Sequence, residues 1–333
     1  MNKRSRAKEI LKAQKTVLAV SLALVSSLVL GGCSSSVEST NGESEDITNA
    51  VLTETSHDCS DYAASYESNV KDVKNGTEFV GHLTIASGTD SCKVTANAIP
   101  NYDFNDSSAN FATDVSEQSV SLSVPRNPKI AESSSELSLL YYGGVMLNGV
   151  VLDQVANGCY MPDDASADQN GNIANGCGLW ADWRLDPLGK ISLGADSHNA
   201  HTQPGGLYHY HGMPEGYITR LNKGKAITLV AFAKDGFPIY ARYGYSKADD
   251  AASAIKTMVG SFAKKAAPDA GRPAVSIFPM GTFTQDYEYI AGSGDLDECN
   301  GRTGVTPEFP SGTYHYYITD SYPYIQRCVK GPL

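Results

Sequence analysis

"LSLLYYGGVMLNGVVLDQV", residues 137–155, is two apolar runs divided by Asn148-Gly149. Asn-Gly between strand-like segments is the strongest short-range hairpin signal, because both residues tolerate the positive φ of a tight two-residue turn. The same pattern returns in "AITLVAFAKDGFPIYARYGY", residues 226–245, around Asp235-Gly236. Two such hairpins predict a mainly β body (α+β) of antiparallel sheets. Long loops rich in Gly, Asn and Asp, such as "DDASADQNGNIANG" at 163–176, join the strands. One helix is also predicted. Ser246 and Asp249 form a capping box, and Ile255, Met258, Val259 and Phe262 fall at i, i+3, i+4 and i+7, for a helix over residues 247–264.

Outward from this core, the N-terminus reads as an address. Residues 1–15 are basic, and residues 17–30 are an apolar run broken only by serines. Such a run is too short for a spanning helix, which needs ~20 residues, and suits a signal peptide. It ends in Leu30-Gly31-Gly32-Cys33, which resembles the lipobox of bacterial lipoproteins. That resemblance implies lipidation of Cys33, palmitate included, and removal of residues 1–32. With Ser34 rather than aspartate next, it implies an exported protein on the outer membrane. Six Lys or Arg and one Glu leave with the signal peptide, a net +5, so the formal charge falls from −11 to −16. A body this acidic excludes nucleic acid as a partner, since phosphates would be repelled. Residues 33–56 are polar and acidic, and predict a flexible tether. Residues 57–130 hold alternating segments such as "EFVGHLTIAS" and "SVSLSV", and predict a small β-rich region ahead of a main domain at 131–333.

Seven cysteines are present. Setting Cys33 aside leaves Cys59, Cys92, Cys159, Cys177, Cys299 and Cys328, an even set in an oxidising compartment, so disulfides are expected. Six cysteines allow about 15 connectivities, and proximity favours 59–92, 159–177 and 299–328. No C-x-x-C pair offers a thiolate metal site.

The chemistry concentrates in histidine. In "GGLYHYHG", residues 205–212, His209 and His211 alternate with Tyr208 and Tyr210. On a strand the two imidazoles share one face, ~7 Å apart, and the tyrosines take the other. His198 and His201 form an H-x-x-H pair just upstream, and "SGTYHYYI" at 311–318 repeats the motif with His315. These five imidazoles are the candidate metal ligands. Neutral imidazole with no free thiolate suits copper or zinc. Metal-free catalytic histidines and plain packing are the alternatives. Three imidazoles from two strands, with His198 or His201 from a loop, are expected to meet. Calcium is less favoured, because "GDLDECNG" at 294–301 carries carboxylates without EF-hand spacing. Tyr217-Ile218 and Tyr324-Ile325 follow the two histidine motifs, so an internal duplication and a chance likeness between tyrosine-rich strands both fit.

These motifs, with "DGFPIYARYGY" at 235–245 and the long run 294–331, make the chain similar to the bacterial YHYH-domain proteins. The resemblance covers residues 135–331 and implies an exported or lipid-anchored protein. The metal reading comes from spacing alone. Two other functions remain open. One is an extracytoplasmic hydrolase in which a histidine or its metal activates water, aided by Asp235, Glu298 or Arg302. The other is a surface glycan-binding or adhesion module that uses tyrosines as stacking platforms, since 13 of the 19 lie from Tyr208 onward. The soluble substrate or glycan is not specified by any motif.

Overall fold

The computed structural model describes residues 43–52, 56–173, 176–179, 181–221 and 224–333. The signal peptide, Cys33 and the first part of the tether lie outside the described residues. Ser44–Leu333 forms one compact unit.

The first sheet is an antiparallel meander of four strands with a short parallel strand added at its edge. Its strands β1 (Glu45–Asp46), β2 (Ser65–Asp72), β3 (Thr77–Ser87), β4 (Ser91–Ala96) and β5 (Val120–Pro125) lie in sequence order. Alternation decides which face is inside: Leu83 and Ile85, Cys92 and Val94, Leu122 and Val124 are buried, with polar residues between them. A disulfide ties Cys59, in a 3-10 turn, to Cys92 on β4. The tether expectation is corrected for residues 45–52. There β1 pairs with β2, and Ile47 and Leu52 are buried, because these apolar side chains have a core to enter.

A short strand, β6 (Ser135–Glu136), leads into the second sheet, of eight strands. The hairpin β7 (Gly144–Met146) and β8 (Val151–Leu152) turns at Asn148-Gly149 as predicted. A ribbon of β9 (Cys159–Tyr160) and β10 (Asn172–Ile173) follows, and the second disulfide, Cys159–Cys177, closes this loop. The motif hairpin is β11 (Ala200–Gln203) and β12 (Leu207–Tyr210); a short helix α1 (Glu215–Leu221) comes next. The second turn signal, Asp235-Gly236, joins β13 (Leu229–Ala233) to β14 (Pro238–Ala241). Strands β15 (Tyr243–Tyr245), β16 (Ile255–Thr257), β17 (Phe262–Lys264) and β18 (Tyr287–Tyr289) form two ribbons, β15 with β16 and β17 with β18. The sheet ends with β19 (Gly301–Gly304) and β20 (Thr313–Ile318). Finally β21 (Cys328–Val329) returns to β6, held by the Cys299–Cys328 disulfide. All three pairings are the ones proximity favours.

The helix expected at 247–264 is a correction. That segment is the β15–β16 ribbon followed by β17. Of the proposed apolar stripe only Met258 is buried; Ile255 and Val259 stay exposed, so a helix would have had no core to face. Ile255, Thr257 and Val259 are β-branched and favour extended backbone. Among the described residues the α-helix is α1, which buries Gly216 and Tyr217.

Strand order in the large sheet, β11-β12-β8-β7-β13-β14-β20-β19, is two copies of one four-stranded unit joined at the antiparallel β7–β13 pair. In each copy a hairpin's second strand pairs in parallel with a distant strand, β8 with β12 and β14 with β20. That distant strand is then flanked by an antiparallel one, β11 or β19. The duplication is therefore topological, and His209 and His315 fall on equivalent strands. Both faces are buried. One, with Val145, Val151, Phe232 and Tyr240, packs on the meander's Leu83, Val94 and Leu122. The other, with Met146, Tyr208, Tyr210 and Tyr316, packs on Tyr102, Phe104 and Tyr217.

Candidate metal centre

Each histidine of the motif is placed by backbone. Gly205 and Gly206, at φ of 96° and 83°, make the turn that folds β11 against β12, a conformation L side chains rarely adopt. The register sets His201 directly opposite His209, so their side chains share a face. His211 continues two positions on, its N–H donating to the Asn199 carbonyl at 2.9 Å. Tyr208 and Tyr210 point the other way: the Tyr208 hydroxyl donates to Asp196 (2.9 Å), and Tyr210 shares a hydrogen bond with Tyr102 (2.5 Å).

Three imidazoles meet. The Nε2 atoms of His209 and His211 are 3.0 Å apart, those of His211 and His201 2.9 Å, and all three ligand atoms lie within 4.8 Å of one another. The protons are the decisive point. His209 Nδ1 donates to the Leu207 carbonyl (3.0 Å) and His201 Nδ1 to the Leu193 carbonyl (2.6 Å). A carbonyl can only accept, so both Nε2 atoms carry lone pairs. His211 Nε2 lies between them and can give a proton to one at most. The other contact sets lone pair against lone pair, which a bound cation would relieve. Carbonyls that fix the tautomer from behind are the usual outer support of metal-bound histidine. Tetrahedral M–N bonds of ~2.0–2.1 Å would place the nitrogens ~3.3 Å apart, a few tenths of an ångström wider than they stand.

Protonation is disfavoured throughout the cluster. Burial pushes His209 down to about 4. His201 falls to about 4 by burial and then by its neighbour His209. His211 goes well below the ordinary value, by burial and both neighbours. Neutral imidazoles are the ligand form.

The cluster opens on a cavity of about 270 Å³. Phe111, Val155, Leu193 and Pro204 supply apolar wall, and Asp153 is the one carboxylate in the lining. Burial pushes the Asp153 carboxyl up to about 6. Sequence reasoning missed it; the signal was an acid at the end of the apolar run Val150-Val151-Leu152.

The remaining candidates lie elsewhere. His198 stacks edge-on to Tyr102, ring centroids 4.8 Å apart, with Asp106 4.0 Å from its Nε2, on the tyrosine side of the sheet. His315 belongs to the second copy, where its Nε2 contacts the Tyr317 hydroxyl at 3.0 Å. The expected meeting of His315 with His209 is corrected: the two strands occupy equivalent places in different halves of the sheet, not one place. Asp235 accepts from the Tyr316 hydroxyl (2.6 Å) and the Gly331 N–H (2.8 Å). Glu298 pairs with Lys330 (2.5 Å) and Asp295 with Lys256 (2.8 Å), so these carboxylates already have cations. Arg302 donates to the Tyr245 carbonyl. Near the meander, Asp58 with Cys59 and Cys92 also forms a compact group, but both sulfurs are in a disulfide. Tyr208, Tyr210, Tyr240, Tyr314, Tyr316 and Tyr317 are buried, which takes them away as glycan platforms.

Residues 121–331 match the sequence model of a family described as YHYH protein. The chain belongs to the YHYH protein family. No curated protein and no solved structure matches it. The stretch that defines the YHYH domain by its letters is thus the strand whose two faces divide the work: tyrosines into the core, histidines into the cluster.

Proposed function

We propose that this YHYH protein is exported, anchored to the outer membrane through a lipid on Cys33, and binds one copper or zinc ion through His201, His209 and His211. One observation carries the metal reading: three neutral imidazoles, His209 and His211 buried and His201 half-buried, point Nε2 at one place, two of them with Nδ1–H held by carbonyls. Three protein nitrogens would leave a position open to other ligands, and all three histidines line the cavity. Three disulfides and the short apolar run before Cys33 support export.

Untagged protein, purified without chelator, should carry about one equivalent of metal. After chelation, adding zinc or copper at a hundredfold excess over Kd should stabilise it by about 2.7 kcal/mol. Protein that copurifies with no metal and melts at the same temperature with and without both ions would rule the proposal out.

The Asp153 carboxylate in the cavity favours a second reading, a metal-dependent hydrolase. A metal held by these three histidines would supply a Lewis acid that lowers the pKa of a water toward ~7. Asp153 is then the group placed to take a proton, and the apolar walls limit access of bulk water. Asp153→Asn should keep metal uptake and remove any hydrolytic activity; unchanged activity would count against this role.

A further inference from the structure

The second half of the large sheet holds the same constellation with different letters. Register fixes the equivalences. Tyr210 sits beside Leu152 and Tyr316 beside Ile239, while His201 faces His209 and Arg302 faces His315. Stepping along the strands, Tyr208 corresponds to Tyr314 and His211 to Tyr317. The supporting contacts repeat. Tyr208 donates to Asp196 at 2.9 Å, and Tyr314 to Asp297 at 3.0 Å. Tyr210 accepts from Asn148 at 3.2 Å, and Tyr316 donates to Asp235 at 2.6 Å. Asn199 and Asn300 both take positive φ, 57° and 61°.

The imidazole itself is held alike. His315 Nδ1 donates to the carbonyl two residues back, Thr313, at 3.1 Å, as His209 does to Leu207. Its Nε2 lone pair therefore also faces inward. Here it meets a proton: the Tyr317 hydroxyl, 3.0 Å away. The Arg302 guanidinium contacts the same hydroxyl at 3.4 Å. The chain of contacts 201–211–209 in one half is 302–317–315 in the other. Among the described residues Arg302 makes no ion pair, and its buried Nε has no hydrogen-bond partner.

We propose that the Arg302–Tyr317–His315 cluster is a dormant copy of the histidine site, in which a guanidinium built into the chain supplies the cation that the first half takes from solution. This rests on the metal reading of the first half. The guanidinium is a cation carried by the chain itself, so the copy needs no ion and binds none. It also gives His315 a role: a fixed hydrogen-bond acceptor, not a ligand.

Reciprocal exchange tests the equivalence. Arg302→His with Tyr317→His should let the chain take up a second equivalent of zinc, read by metal analysis after gel filtration. His201→Arg with His211→Tyr should abolish uptake at the first site and still melt cooperatively, in chelator, within a few degrees of chelator-treated wild type. The idea fails if the first double variant folds but stays at the wild-type metal content. It fails equally if the second melts far below a His201→Ala, His211→Ala control. Wild type that binds no ion would overturn the metal reading alone; the melting comparison still decides whether the halves are equivalent.

Discussion

At the scale of single residues, two matching histidines differ in what their Nε2 lone pairs meet. His209 and His315 occupy matching positions and donate Nδ1–H to matching carbonyls, yet only His315 has a hydroxyl for its Nε2. The strand pattern made His209 and His211 legible as neighbours on one face. Nothing in the letters showed that His201 rather than His198 would join them, because the choice depends on a one-residue register in β11. A pH signature follows for the ion-free protein. His201 and His209 are pushed down to about 4 by burial, against about 6.5 when unfolded. The unfolded chain therefore binds their protons first, and stability is lost as pH falls from ~6.5 toward ~4, by about 1.4 kcal/mol per pH unit for each histidine. Urea unfolding in chelator between pH 7.5 and 4.5 should show that slope. His209→Gln should reduce it, and an equal slope in the variant would contradict the assignment.

At the scale of elements, the two hairpins were legible because each turn needs a residue few others replace. Gly205 and Gly236 separate the two reasons for glycine. Gly205 has φ of 96° and open space where a Cβ would go, so Gly205→Ala meets backbone strain alone, about 1 kcal/mol. Gly236 has φ of 91° and the Pro125 carbonyl oxygen 2.3 Å from an added Cβ, so backbone must also move. Gly236→Ala should cost clearly more, on the order of 3 kcal/mol. Equal melting temperatures for the two variants would show that the contact with β5 is loose. The false helix at 247–264 had the opposite cause. A 3.6-residue spacing of apolar side chains marks a helix only where a core lies alongside, and here three of the four side chains are not buried. Single-sequence periodicity cannot supply that information.

At the scale of the molecule, the meander and the large sheet are one folding unit. The family match begins at residue 121, inside β5, yet Tyr102 and Phe104 pack in the same cluster as Tyr208 and Tyr210. A fragment of residues 131–333 would expose that cluster and strip Tyr210 of its Tyr102 partner. It should lack a cooperative thermal transition; a fragment that melts like the whole chain would show the meander to be dispensable. Composition and turn chemistry were enough for a β body with three local disulfides. The shared core was hidden because it joins residues about a hundred positions apart, such as Tyr102 and Tyr210. The duplication was visible only as an echo between tyrosine-rich strands until strand order made it topological. On the proposed function, His201, His209 and His211 bind one ion together. X-ray absorption of zinc-loaded, untagged protein reads this directly. The expected result is three imidazole nitrogens at ~2.0–2.1 Å, with at least one lost in His209→Ala. An oxygen-only shell, or a spectrum unchanged by that substitution, would contradict it.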